Sequence, residues 1–236
     1  MVYIQSDSER KLPSHFDAAC ALYGALDNAQ DIRLTSFEEV QSGKFDALIR
    51  NHLFVGSVEF MTEVFSRVGK SIPSMENPYQ EKEIMKLSEV KDKITERAKW
   101  FVKPTKTKLF TGMVFDSMTL SQLNAYPDDT MVIVAAPFKS KIVSETRCYV
   151  RFNKIVDARN YSGDFRISSD FIWADEIVRT LYDYPSAFTM DIGVLESGEN
   201  VVIEFNDMWA IGNYGMDNSD YYKLLRERYF EIIRSK

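Results

Sequence analysis

Asp191-Ile192-Gly193-Val194-Leu195-Glu196-Ser197-Gly198-Glu199-Asn200-Val201-Val202-Ile203-Glu204-Phe205-Asn206-Asp207 consists of two alternating runs joined by a Ser-Gly dipeptide. Asp191 and Gly193 alternate with apolar neighbours in the first run, and Val202, Glu204 and Asn206 share a parity in the second, so each run reads as a strand. Ser197-Gly198 is a hairpin signal. With those two residues as the whole loop, Glu196 pairs with Glu199, and counting outward sets Asp191 opposite Glu204. Period-2 geometry keeps Asn206 on that face. Opposed like charges in a sheet cost roughly 0.2–1 kcal/mol unless a positive group lies between them. Two carboxylates and an amide oxygen, with no His or Cys beside them, favour magnesium or a similar hard cation. Two alternatives stay open at this point. One is a solvent-facing hairpin whose acids are surface charge; the other is a three-residue loop, which would put Asp191 and Glu204 on opposite faces.

The rest of the chain narrows the choice. Its 236 residues suffice for one large or two small domains, and 45% hydrophobic with 13% aromatic content excludes a disordered protein. A formal charge of −6 argues against a general nucleic-acid binder. Cys20 and Cys148 form no CxxC pair, and His15 and His52 have no metal-ligand partner at useful spacing, so neither a disulfide framework nor a zinc site is indicated. No apolar run approaches the ~18 residues of a membrane helix. Asp7, Glu9, Arg10 and Lys11 break any signal-peptide pattern, so the expected setting is cytoplasmic and reducing.

Val2–Gln5 reads as a strand, Ser14 as the N-cap of a helix through Leu22 and Leu26, Phe45–Arg50 as a second strand, and Ser57 as the cap of a helix with Phe60, Val64 and Phe65. Strand, helix, strand, helix predicts a small parallel α/β lobe over residues 1–75. Ile72-Pro73-Ser74 and Asn77-Pro78 punctuate its end. Glu81–Lys99 reads as an exposed helix. A β-rich stretch follows (Lys99–Val102, Lys108–Phe115, Thr130–Ala136, Val143–Phe152, Lys154–Ala158), then a helix near Ser169–Tyr182, the hairpin, and an amphipathic helix over Asp220–Arg234.

Phosphate is the natural companion of a carboxylate-held magnesium. Neither GxxxxGK[ST] nor GxGxxG is present, which sets aside P-loop, kinase and dinucleotide-binding readings. Trp100-Phe101-Val102-Lys103-Pro104 instead ends a strand at a lysine, and a Thr/Lys-rich loop through Lys108 leads to Gly112. Val132-Ile133-Val134-Ala135-Ala136-Pro137-Phe138 is an apolar strand whose free edge would read an adenine between apolar walls. Glu145 and Arg147 share a face at i, i+2, suited to ribose hydroxyls and phosphate respectively, and Arg159 adds a cation one strand on. A Lys-rich turn, a buried strand and a surface ion pair are the ordinary structural counterparts of these three features.

Taken in order, Phe101-Val102-Lys103-Pro104, Gly112, Ser144-Glu145-Thr146-Arg147 and Asp191-x12-Glu204-x-Asn206 resemble the ATP-grasp superfamily, in particular the small proteins of its two-arginine-plus-lysine clade. The likeness runs from about Ile72 to the C-terminus. It implies an ATP-grasp fold of α/β (α+β) class, with nucleotide held between two β-rich subdomains (76–138 and 139–236) behind a pre-ATP-grasp lobe (1–75). It also implies that Lys103, with Lys108 or Lys106, contacts ATP phosphates, that Ala135, Ala136 and Phe138 flank adenine, and that Glu145 binds ribose. Asp191, Glu204 and Asn206 would hold Mg2+, with Arg147 and Arg159 in catalysis. D-alanine ligases carry an Arg two residues before the metal Asp; here Thr189 stands there, and the glycine-rich cover loop is replaced by Lys and Thr.

The function expected is an ATP- and magnesium-dependent ligase joining a carboxylate (amino acid, peptide or protein C-terminus) to an amine acceptor through an acyl phosphate. A phosphotransferase on a hydroxyl and a non-catalytic nucleotide-binding module are the alternatives. A two-carboxylate glycosidase fits the Asn206 and Lys/Arg set poorly.

Overall fold

The computed structural model describes residues 1–14, 17–72, 75–95, 98–105 and 109–235. Lys106 and Lys108, expected near phosphate, and His15 fall outside them.

The chain begins with β1 (Val2–Gln5), α1 (Ala18–Asp27), β2 (Ile32–Thr35), α2 (Phe37–Gln41), α3 (Asp46–Ile49), β3 (Leu53–Val55) and α4 (Val58–Arg67). The strands pair in parallel in the order β2-β1-β3. Ser57 caps α4 as expected, its Oγ accepting the Phe60 N–H at 3.3 Å. The second strand is Ile32–Thr35, not Phe45–Arg50. That segment makes the one-turn helix α3 because Phe45 and Ile49, four apart, are its buried pair. Ser14 does not cap α1; Asp17 sits at the N-cap and sends its carboxylate to the Asn213 N–H instead. Ser36 and Glu39 form a capping box that starts α2.

Next come β4 (Lys82–Lys86), α5 (Leu87–Lys93), β5 (Trp100–Pro104), β6 (Met113–Phe115), a 3-10 turn over Leu120–Ala125 and β7 (Met131–Ala135), forming a sheet of order β4-β7-β5-β6. The exposed helix expected over Glu81–Lys99 is thus half strand. β4 pairs antiparallel with β7, and only Leu87 onward, with Leu87 and Val90 buried, turns helical.

The third group is β8 (Ile142–Arg151), β9 (Lys154–Gly163), α6 (Phe171–Arg179), β10 (Ala187–Leu195), β11 (Asn200–Asp207) and α7 (Asn218–Arg234), with sheet order β11-β10-β8-β9. One face of this sheet carries Cys148, Val150, Phe188, Met190, Ile192, Val202 and Phe205 against Ala174 and Val178 of α6. Ile172, at the start of α6, is 77% exposed, and Phe171 is also exposed.

By contact density the chain forms two units, Met1–Glu76 with Val143–Lys236, and Asn77–Ile142. Within the first unit α7 lies against α1, β3 and β10, and one core joins Val2, Ile4, Phe60 and Phe65 to Leu224, Tyr229 and Ile232. Gly24 permits the α1–α7 approach, because a Cβ there would collide with the Asn218 carbonyl. Among the described residues no helix is long and apolar enough to cross a membrane.

Candidate functional site

The β10–β11 hairpin brings Asp191 opposite Glu204, by a route the sequence reading did not follow. Its loop has three residues, since Leu195 N donates to the Glu199 carbonyl at 2.8 Å and Gly198 N to the Leu195 carbonyl at 2.8 Å. Gly198 takes φ +87°, the left-handed residue such a loop needs. Val194 then faces Asn200 and Ile192 faces Val202, a register that alone would turn Glu204 away. A bulge restores it: the register shifts after Ile192, and Ile203 is the extra residue on β11. Val202 and Phe205, three apart, therefore share the buried face, while Glu204 and Asn206 turn to the other side. Val202, placed with them by simple alternation, does not lie on their face.

Arg147 on β8 reaches the same face. Its Nε donates to Asp191 Oδ1 at 2.8 Å and its Nη2 to Oδ2 at 2.7 Å, with Arg147 6% and Asp191 1% exposed. This bidentate fork is the strong form of a charge-assisted pair. Asn206 Nδ2 lies 3.2 Å from Glu204 Oε1 and 3.4 Å from Asp191 Oδ2. Burial pushes the Asp191 carboxyl up, Arg147 pulls it down, and Glu204 and Glu145 add to the upward push; the net direction is up. Burial also works against the Arg147 charge, but Asp191 more than offsets it, and the guanidinium stays charged.

Two tyrosines, neither singled out by any pattern, complete the cluster. Tyr161 is a bulge residue, since Glu145 pairs with Ser162 and Thr146 with Asn160. Its hydroxyl donates to Glu145 Oε2 at 2.7 Å and lies 3.5 Å from Asp191 Oδ2. Burial, then the Asp191 charge, hold this phenol protonated, above its usual range. The Tyr214 ring stacks on Tyr161 at 5.1 Å and 12°, and the Arg147 guanidinium carbon is 4.9 Å from its centroid. Tyr214 adopts φ +47° and Gly215 φ +85°. Their loop is pinned by Tyr149 Oη, 2.7 Å from the Gly212 and Asn213 carbonyls, and by Tyr221 Oη on the Ile211 carbonyl at 2.6 Å. Buried Arg228 forks onto Asp207, both contacts at 2.6 Å, tying the end of β11 to α7.

Arg159 pairs in register with Arg147, and its guanidinium is bound to Asp157 of its own strand at 2.7 Å. Thr189, two residues before Asp191 and opposite Asn206, is fully buried. Among the described residues its hydroxyl has no hydrogen-bond partner. In the other unit, Lys103 is exposed on β5 opposite Ile133. β7 is not the free edge expected. Ala135 is paired with both Lys82 and Phe101, so its ladder is used on both sides. Ala136, exposed, and Phe138, half-buried, follow that strand, and the Ala136 carbonyl accepts Gln80 Nε2 at 3.3 Å.

The hard oxygens of Asp191 and Glu204 suit magnesium, and a turn of the Asn206 amide would add a third. Among the described residues no three His, Cys, Asp or Glu side chains are grouped as metal ligands, so an ion here would rest on two carboxylates and an amide.

A parallel α/β lobe and two antiparallel sheets, one carrying this acid–Arg face, make up the ATP-grasp fold. The same fold is found in the ATP-grasp ligase PsnB complexed with a phosphomimetic variant of its minimal precursor, Mg and ADP (TM-score 0.54, 11% identity, 97% of this chain and 98% of that one). It is found too in D-alanine–D-alanine ligase from Bacillus anthracis complexed with ATP (0.53, 11%, 100% and 98%) and N5-carboxyaminoimidazole synthetase from Staphylococcus aureus (0.54, 10%, 97% and 77%). Residues 79–224 match the family described as the ATP-grasp domain of the two-arginine-plus-lysine clade, family 2, and the chain belongs to that family. No curated protein matches the sequence.

Proposed function

We propose that the protein is an ATP- and magnesium-dependent ligase that joins a carboxylate to an amine through an acyl phosphate. The observation that supports this most is the convergence of Arg147, Asp191, Glu204 and Asn206, with Glu145 tied in through Tyr161, on one face of a sheet in an ATP-grasp chain.

In this reading a substrate carboxylate oxygen attacks the γ-phosphorus of ATP and ADP departs. The amine then attacks the acyl carbon, loses a proton, and phosphate leaves. Glu145 binds ribose, and Lys103, with Ala135, Ala136 and Phe138, serves the rest of the nucleotide. Arg147 and Arg159 hold positive charge against the anionic oxygens that develop, where exclusion of water makes fixed charge worth more. Asp191, Glu204 and Asn206 would hold Mg2+, which supplies further neutralisation of phosphate charge. Residues 1–75 are the pre-ATP-grasp lobe, 76–138 the small subdomain and 139–236 the C-terminal subdomain. The first substrates to try are peptides, because PsnB, similar in fold, is complexed with its precursor peptide PsnA2 and AMPPNP.

The test is incubation with ATP, Mg2+ and pools of amino acids and peptides, reading phosphate release and product mass. A new amide dependent on ATP supports the ligase; a phosphorylated acceptor, or binding with no turnover in any pool, overturns it. Glu204→Gln is expected to lower turnover by at least about 100-fold while the fold persists, in line with the loss of a transition-state electrostatic group; unchanged turnover would remove the hairpin from the site.

A further inference from the structure

We infer that a pocket where β10 begins and β11 ends is a binding site for a free basic α-amino acid, its carboxylate on Arg228 and its ammonium groups on the acids around it. The site is separate from the acid–Arg face and does not depend on the proposed ligase activity.

The pocket measures about 460 Å³, within the usual span of small-ligand sites. Met75, Tyr184 and Pro185 give it apolar walls, and all its lining belongs to the unit Met1–Glu76 with Val143–Lys236. The Tyr184 ring lies 5.3 Å from Phe188 and 5.0 Å from Phe205, on the sheet face opposite Glu204 and Asn206.

Arg228 is the fixed point of the pocket. Its side chain is 6% exposed, Nε and Nη2 donate to Asp207, and Nη1 lies 3.1 Å from Glu231 Oε2. Burial works against the charge, but Asp207 and then Glu231 more than offset it. A guanidinium has five N–H groups, so these contacts leave one on each Nη without a partner among the described residues. Buried donors left unbonded are costly, and a guanidinium with N–H groups to spare suits a carboxylate.

The surroundings ask for positive charge as well. Glu231 is held in place by Ser186, whose N–H at 3.0 Å and hydroxyl at 2.8 Å both donate to Oε2. Oε1 takes only the longer branch of that N–H, at 3.2 Å, and has room for another donor. Glu76 and Asp183, both exposed, stand at the rim. Four acids (Asp207, Glu231, Glu76 and Asp183) against one base make a formal charge of −3. A simple anion would meet that charge, and a simple amine would leave the Arg228 donors unused. One carboxylate with two ammonium groups satisfies both demands, and that is the make-up of a basic α-amino acid.

The experiment is calorimetric titration of the full chain with L-lysine. Saturable one-to-one binding is expected. L-norleucine, which lacks the side-chain ammonium, and cadaverine, which lacks the carboxylate, are each expected to bind at least about tenfold more weakly, as is usual for loss of a hydrogen bond to a charged group. Nα-acetyl-L-lysine, which stands for the C-terminal lysine of a peptide, is expected to bind at least about tenfold more weakly too; equal binding would overturn the assignment to a free amino acid. No L-lysine binding would overturn the inference, as would L-norleucine or cadaverine binding as tightly as L-lysine. Arg228→Lys keeps a cation beside Asp207 but removes the spare N–H groups, and is expected to lose at least about tenfold in L-lysine affinity. If that variant does not fold, Glu76→Gln with Asp183→Asn decides, because both side chains are exposed. The pair is expected to weaken L-lysine binding about threefold and leave L-norleucine unchanged, and equal L-lysine affinity would count against the site. Glu204→Gln, on the other face, is expected to bind L-lysine as wild type does; loss there would move the amino acid to the reaction site and overturn the assignment.

Discussion

Thr189→Val isolates one atom of the site. The Thr189 side chain is fully buried on β10, and its hydroxyl has no partner among the described residues. A buried hydroxyl left unbonded costs about 1–3 kcal/mol, and Val keeps the shape while replacing it with a methyl. The substitution is therefore expected to stabilise the protein by about 1–2 kcal/mol, which for a chain of this size is a rise in Tm of roughly 2–8 °C. Thr189→Ser keeps the hydroxyl and drops the methyl, and is expected to lose about 1 kcal/mol. Thermal and urea unfolding of the three proteins, followed by far-UV circular dichroism, make the comparison. A Val variant less stable than wild type would mean that the hydroxyl is bonded in the folded protein, and the reasoning would fail. A Val variant that is more stable but less active would mark the hydroxyl as retained for function at a cost in stability.

Gly24→Ala would drive a methyl into the Asn218 carbonyl and against Tyr222 Cβ, and is expected to cost about 3 kcal/mol or more; unchanged urea stability would contradict the close α1–α7 contact. Arg10, then Lys44 and the Ser36 N–H, hold the Glu39 carboxyl well below its usual range despite some desolvation. A lowered folded pKa gives stability that is complete above the ordinary Glu pKa of about 4.3 and is lost as pH falls below it. Glu39→Gln should accordingly destabilise at pH 7 and have a shrinking effect toward pH 2, and a pH-independent difference would refute the assignment. Burial, with Asp191 and Asp175 adding, pushes the Cys148 thiol up to about 12. A thiol reagent at pH 8 should therefore label Cys20 in the native protein and Cys148 only after denaturation, as counted by mass spectrometry.

Local patterns carried the reading where structure is local. The Ser57 cap, the apolar spacing of Phe60, Val64 and Phe65, and the amphipathic stretch that became α7 lie where their periodicity puts them. Patterns failed where short segments take their state from neighbours far along the chain. Lys82–Lys86 has the charge of an exposed helix and is a strand because β7 supplies its partner. Val132–Ala135 reads as an edge but is central, because β4 and β5 come to it from both sides. Four-residue elements such as β2 are too short for any period to show.

Residue types and their order along the chain determined by themselves that Lys103, Glu145, Arg147 and the Asp191-x12-Glu204-x-Asn206 spacing resemble one family, because such spacing is chemistry written locally. Tertiary structure decided how the hairpin reaches its register. Alternation assumes one residue per step, and a three-residue loop and a bulge at Ile203 each break that rule, with effects that cancel. It also decided that Asp191 pairs with Arg147, forty-four positions away, and that Tyr161 and Tyr214 enclose that pair. Contacts across a sheet and over a loop depend on distance in space, and no period along the chain records them.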